Sequence, residues 1–487
     1  MGVKTKIFKN TTYLTIGNQI GNLLQFLFFL YFARQFGKEI VGQYSFAFSF
    51  TYVCSVIADL GLSHYLIREV ARDLSGDRQL FACGLSLRLL SLALVSLLVF
   101  AIIILFPGKF PQRITLVIFL LGLFHIFFSI ADVFHAEFKG HDRMGIVALL
   151  NIFLRFVISC SGILLIILRF DFLIVVACFP IGSFLYLILT MYLSSHYFKN
   201  IALKLKVLNL KNLFVMLLPF TFTFIFAEAL HHQDILMLKF LKNDQIVGIY
   251  SVAHKIVLIF IGILLFVYTA LLPTLSRLYV DSHSKLIDIS RQSLRYLLLI
   301  GLPLSIGLFA VSDKIIVFMF SNTFKESVAA LNVLSWTIVL NFALITYSVL
   351  LTAIDRQTEK GICVGICFAV NFLLNLILIP NLSYNGAAIA KVMTETLHLF
   401  LFAYLVSRYL TSLSLHKMLL KPAISCSLMY IVIKFIYQWH LIIIILISIT
   451  VYFISLFVLR WYTNEEIEFI KHFCSRKLLL GKRTFEA

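Results

Sequence analysis

Ile40-Val41-Gly42-Gln43-Tyr44-Ser45 returns, with five of its six residues unchanged, as Ile246-Val247-Gly248-Ile249-Tyr250-Ser251, an offset of 206 residues. Each copy opens an apolar stretch of about 20 residues, the length at which an α-helix crosses a hydrocarbon core about 30 Å thick. So short a match can arise by chance in a biased composition. The place of the two copies in a longer series is what argues for duplication. Windows of spanning length fall at 13–33, 41–60, 84–106, 114–133, 145–168 and 171–193, then at 213–233, 246–272, 292–311, 329–353, 361–379 and 386–408. Two more follow at 421–438 and 440–460, joined by a very short connection. Each copy therefore opens the second span of a six-span series. Six is even, so the two series keep one orientation and form parallel repeats about an axis along the membrane normal, an arrangement that secondary transporters use for alternating access.

The expected fold is an all-α polytopic membrane protein of about 14 transmembrane helices. A six-helix lobe over 1–205 and a second over 206–410 would enclose a central cavity, and 411–487 would hold two added helices and a basic cytoplasmic tail.

The composition agrees. Of 487 residues, 61% are hydrophobic and 13% charged, with 49 Phe, and the mean hydropathy is +0.98. Soluble domains carry roughly 25% charged residues. No segment between spans exceeds about 30 residues, too little for a soluble catalytic or nucleotide-binding domain. The net charge of +18 does not indicate nucleic acid, because the basic residues fall mostly in short loops, where they fix sidedness and meet anionic lipid headgroups. With both termini cytoplasmic, that side holds about 28 Lys and Arg, the other about 10, and about three (Arg155, Lys255, Lys391) lie within spans. The first span follows Lys4, Lys6 and Lys9 like a signal peptide, but it is too long and lacks a small-residue cleavage site, so it is expected to be retained. The eight Cys are scattered with no C-x-x-C, which indicates neither a disulfide framework nor a zinc site. No cofactor, metal site or catalytic residue is expected.

Polar side chains in hydrocarbon are costly unless they face protein or water. Several spans place them on one face at helical spacing: Thr11, Thr15, Asn18, Asn22 and Gln25 in the first; Asn151, Arg155 and Ser159 in the fifth; Ser251 and Lys255 in the eighth; Asn371 and Asn375 in the eleventh; Lys391, Thr394, Glu395 and His398 in the twelfth. Amides commonly serve as glue between packed helices, and this reading covers the Asn and Gln positions as well as a cavity lining does. Arg155 and Lys255 have no carboxylate one turn away and point instead to a cationic cavity suited to an anionic substrate. Lys391 has Glu395 at i+4, so a locally neutralised pair is its alternative. Glu228, His231 and Asp234 in the seventh span, with Glu395, are candidates for proton coupling, or a rim that solvates the cavity mouth.

There is no P-loop, H-E-x-x-H or G-x-S-x-G. Gly17-x-x-x-Gly21 suggests close packing of neighbouring spans. Pro219, Pro273 and Pro303 cap or kink spans of the second series. Arg68, Glu69, Arg72, Asp73 and Arg78 suggest an interfacial amphipathic helix.

The stretch from Ile40-Val41-Gly42-Gln43-Tyr44 through Asp59-Leu60-Gly61-Leu62 to Arg68-Glu69-Val70-Ala71-Arg72 resembles the start of Wzx-type O-antigen and polysaccharide flippases. Pro273-Thr274-Leu275-Ser276-Arg277 and Leu302-Pro303-Leu304-Ser305-Ile306-Gly307 resemble their second half. The resemblance covers roughly residues 10 to 400 and implies the multidrug/oligosaccharidyl-lipid/polysaccharide exporter superfamily. It implies movement of an undecaprenyl-diphosphate-linked oligosaccharide, the repeat unit of O-antigen, lipopolysaccharide or a similar polysaccharide, across a bacterial inner membrane by alternating access. Membrane lipids and other polysaccharide-assembly membrane proteins are the implied partners. The family's basic lumen positions vary, so the resemblance does not identify Arg155, Lys255 and Lys391. A multidrug cation antiporter, which would need uncompensated cavity carboxylates, and a lipid II flippase are alternatives within the superfamily. A membrane glycosyltransferase or polymerase would need a long external loop.

Overall fold

The computed structural model describes the backbone of residues 3–72, 78–108, 110–197 and 210–461, and their side chains except at 3–16, 64, 72, 78–80, 210–223 and 415–417. Among the described residues every regular element is helical. In chain order these are α1 (Val3–Asp59), α2 (Leu62–Arg72), α3 (Arg78–Leu105), α4 (Gln112–Gly140), α5 (Met144–Ile167) and α6 (Phe172–Tyr197). After them come α7 (Leu210–Leu241), α8 (Asp244–Gly262), α9 (Leu264–Asp281), α10 (His283–Ala310), α11 (Ser312–Phe320), α12 (Ser327–Leu334) and α13 (Trp336–Ala353). The last are α14 (Gln357–Tyr409), α15 (Leu415–Phe435) and α16 (Leu441–Val458). Eleven helical stretches among the described residues are long and apolar enough to cross a membrane, counting α8 with α9 and α12 with α13. The chain is a multi-pass membrane protein.

Two helices are too long for one crossing. α1 has 57 residues and α14 has 53, and at about 1.5 Å per residue each is more than twice the hydrocarbon thickness. Each breaks once, α1 at Gly37 (φ 74°) and α14 at Ser383 (φ 54°). The breaks fall in the predicted gaps 34–40 and 380–385. Gly37 takes the left-handed region without a Cβ penalty. In α14, Pro380 withholds an N–H just before the break.

Three expectations change. The stretch predicted as one span at 246–272 divides at Ile263 and runs on to Asp281, and that predicted at 329–353 divides at Ser335. The short α11 stands between the ninth and tenth predicted spans. The amphipathic helix begins earlier, at Leu62, and ends at Arg72. Its apolar face buries Leu62 and Leu66 against Phe81, Leu85 and Phe134 of α3 and α4, so it is docked on the bundle as well as placed for the interface. Asp73, the 198–209 connection and the tail from 462 lie outside the described residues.

α1 packs against α4 and α5, and α6 against α4 and α5; α7 packs on α14, and α13 on α9, α10 and α14. α1 also runs along α7 and α8, forming the seam between these groups, while α15 and α16 pair and dock on α10. The two copies of the repeat meet at this seam. A Cβ on Gly42 would stand 1.7 Å from the Asp244 carbonyl oxygen, and one on Gly248 would stand 1.8 Å from that of Lys38. Both pairs share the 206-residue offset (248 − 42 and 244 − 38), so the contact is reciprocal, as a local two-fold axis requires. Only glycine allows the backbones this close.

Candidate functional site

Half-way along the seam, polar side chains cross it. Tyr52 donates to Glu228 at 2.9 Å, and a ring nitrogen of His232 pairs with Ser49 Oγ at 3.0 Å. Counting about 1.5 Å per residue from the Gly37 and Leu241 ends, Tyr52 and Glu228 lie about 20 Å in, near mid-depth. Gln19 donates to the Gly262 carbonyl at 2.7 Å. At the opposite end Lys38 pairs with Glu326 at 3.1 Å, and Arg34 donates to the Phe318 and Met319 carbonyls at the end of α11.

Beside this seam is a cavity of about 160 Å³ lined by Gln25, Tyr52, Ser55, His125, Arg155 and Ser159 among phenylalanine rings. Arg155 hydrogen-bonds Asn22, and Asn151 bonds Asn18 at 3.4 Å while accepting from Tyr186 at 3.0 Å. Gly21 permits this: a Cβ there would stand 2.4 Å from Arg155 Cδ, and one on Gly17 3.0 Å from Ala148 Cβ. The Gly17-x-x-x-Gly21 pair thus packs α1 on α5. Lys255 lies 5.5 Å from the Phe29 ring and 5.9 Å from that of Phe48, near enough to Arg155 to feel its charge. Neither cation forms an ion pair among the described residues. The structure therefore brings Asn18, Asn22, Gln25, Asn151, Arg155 and Lys255 to one region.

The remaining predicted residues form a second cluster. Asp234, 1% exposed, accepts from Tyr250 at 2.9 Å and from Asn375 at 2.8 Å. Asn375 also donates to Asn371, which donates to Thr394. Lys391 lies between two carboxylates, 3.8 Å from Asp234 and 3.9 Å from Glu395, and donates to the Leu230 carbonyl. It is paired twice, once with a partner 157 positions away that helical spacing could not reveal. His398 stands 3.6 Å from Glu395. His231 is exposed on α7, one residue from the seam contact of His232.

A third cluster escaped the sequence reading. Arg88, 1% exposed inside α3, bonds Asp59 and, at 2.8 Å, Ser63. Ser63 in turn donates to Asp59 and Asp132. Lys139 lies 3.5 Å from Asp132, and His135 joins Asp132 to Tyr186. Arg88 falls well inside the predicted span 84–106 and belongs with Arg155, Lys255 and Lys391 as an intramembrane cation. The rule that intramembrane ionisable residues are functional or paired would have flagged Arg88, Asp132 and His125. Thr11 and Thr15 lie outside the described side chains, and among the described residues no group of His, Cys, Asp and Glu could hold a metal.

The family described as polysaccharide biosynthesis protein matches residues 7–279. A probable low-salt glycan biosynthesis flippase, Agl15 of Haloferax volcanii, is 23% identical over 406 residues, covering 82% of this chain and 83% of its own. The capsular polysaccharide biosynthesis protein CapF of Staphylococcus aureus is 22% identical over 410 residues, covering 82% and 99%. Among solved structures, lipid II flippase MurJ in an inward closed conformation superposes with a TM-score of 0.73 at 18% identity, covering 91% of this chain and 97% of that one. An inward-facing multidrug resistance MATE family transporter of the MOP superfamily gives 0.61 at 15%, covering 81% and 96%.

Proposed function

The chain belongs to the polysaccharide biosynthesis protein family, and from that premise we propose that it is a flippase for a lipid-linked saccharide. In this reading it carries an undecaprenyl-diphosphate-linked oligosaccharide, such as an O-antigen repeat unit, from the cytoplasmic to the outer leaflet of a bacterial inner membrane. One observation carries the proposal: Arg155 and Lys255 lie near each other within the bundle, and among the described residues neither forms an ion pair with a carboxylate. A cation pair is expensive there unless an anion visits, and a diphosphate is such an anion. Phenylalanine, tyrosine and amide side chains around it suit sugar faces and hydroxyls.

The helix groups of 1–205 and 206–410 would act as lobes that part at one end of the seam and close at the other, with the head in the cavity and the lipid chain outside. Asp234, Glu395 and Glu228 are the groups through which a proton gradient would act. Multidrug cation export is less well supported, because Asp234 and Glu395 are both occupied by Lys391.

The test is in cells whose surface glycan depends on this protein. Its removal is expected to leave lipid-linked repeat units on the cytoplasmic leaflet, and its return to restore the glycan. Undiminished surface glycan without the protein would reject the proposal.

A further inference from the structure

We infer that the groove between α3 and α4 seats the first isoprene units of the lipid-linked saccharide whose head occupies the Arg155 cavity. The inference rests on the flippase reading and adds where the lipid part lies.

The groove encloses about 450 Å³. Its walls are Leu92, Val95 and Phe100 of α3 and Leu116, Phe119 and Leu123 of α4. Its floor is α1, and there the hydroxyls of Thr51 and Ser55 are spent on the Ala47 and Tyr52 carbonyls, so the floor presents hydrocarbon. Gly122 leaves a gap that nothing fills, since a Cβ there would meet no atom within 4 Å. A hydrocarbon chain is the occupant this lining favours.

What separates this groove from any lipid-facing furrow is its continuity with the polar cavity. Ser55 and His125 line both. His125 is 4% exposed, and its Nε2 has no hydrogen-bond partner. A buried polar atom left unpaired costs about 1–3 kcal/mol. With its other ring nitrogen on the Phe48 backbone, Nε2 is left as an acceptor, so at the junction it offers a contact to a hydroxyl of the head. A second apolar groove, of about 370 Å³ between α10, α15 and α16, shares no residue with the polar cavity. The α3–α4 groove runs from the depth of Thr51 and Ser55 on α1 towards the end of α3 and the start of α4. On the proposed sidedness that direction leads to the outer leaflet, so the groove is the path by which the chain settles as the head leaves.

The test uses purified full-length protein in proteoliposomes and an undecaprenyl-diphosphate oligosaccharide with a diazirine on the isoprene units next to the diphosphate. Photolabelling is expected on peptides covering 92–103 and 115–126. Labelling on α10, α15 and α16, or spread evenly round the bundle, would overturn the inference. Whether or not headgroups move, the labelled peptides decide the groove, while headgroup movement decides the flippase reading separately. As a second arm, Gly122→Trp is expected to slow movement more than tenfold and Gly122→Ala to leave it near the wild-type rate. Gly307→Trp, which fills the other groove, is expected to have no effect. The reverse ranking of the two Trp variants would also overturn the inference.

Discussion

Arg155 and Arg88 are both guanidinium groups inside spanning helices, and their surroundings give them opposite tasks. Arg88 is bonded to Asp59 and Ser63 beside Asp132, so its charge is spent on holding α1, α2, α3 and α4 together. Removing one partner of a buried ion pair costs about 3–5 kcal/mol. Arg88→Ala is therefore expected to lower abundance and thermal stability sharply, and a melting curve on detergent-purified protein checks it. Arg155 bonds the Asn22 amide and, among the described residues, forms no ion pair. Arg155→Glu and Lys255→Glu are expected to leave the melting curve close to wild type and to weaken binding of undecaprenyl diphosphate more than tenfold, about 1.4 kcal/mol or more. Equal affinity in titrations of the variants and wild type would remove both from the site. The sequence distinguished these cations only in part. Partners one helical turn away are visible as spacing; Asp59 stands 29 positions from Arg88 and Asp234 stands 157 from Lys391, and nothing periodic links them.

At the scale of helices, the spans were legible because hydrocarbon thickness sets a length that any apolar window must meet. The breaks at Gly37 and Ser383 were legible as short gaps in hydropathy. That α1 and α14 continue as single helices across them was not, because composition reports burial and not the direction of the chain. The repeat at 40–45 and 246–251 carried more than a duplication. Its two glycines face each other across the seam, closer than any side chain permits. Gly42→Ala and Gly248→Ala are each expected to push α1 from α8 and open this end. With Ser45→Cys as the reporter, a residue 7% exposed in the native chain, thiol labelling should rise severalfold in either glycine variant. Unchanged labelling would show that the seam accommodates a methyl group there.

Across the whole molecule, the polar residues divide into a cationic region beside the seam, a neutralised cluster around Asp234, Lys391 and Glu395, and a buried brace around Arg88. Only the first two were foreshadowed by spacing, and their separation was not, since facing residues on different helices give no common period. If a proton gradient drives the cycle, it acts through the carboxylates that meet or adjoin the seam. Glu228→Gln, which loses its charge against Tyr52, and Glu395→Gln are expected to abolish any stimulation of transport by an imposed pH gradient. Stimulation equal to wild type would assign coupling elsewhere.

The central claim is that unpaired cations beside the seam carry a diphosphate-linked saccharide between leaflets. The most direct measurement follows headgroup movement in proteoliposomes, using a glycosidase that cannot cross the bilayer, for wild type and the Arg155→Glu, Lys255→Glu double variant. The account predicts protein-dependent movement in the wild type and none in the double variant at equal incorporation. Equal movement in both would contradict it.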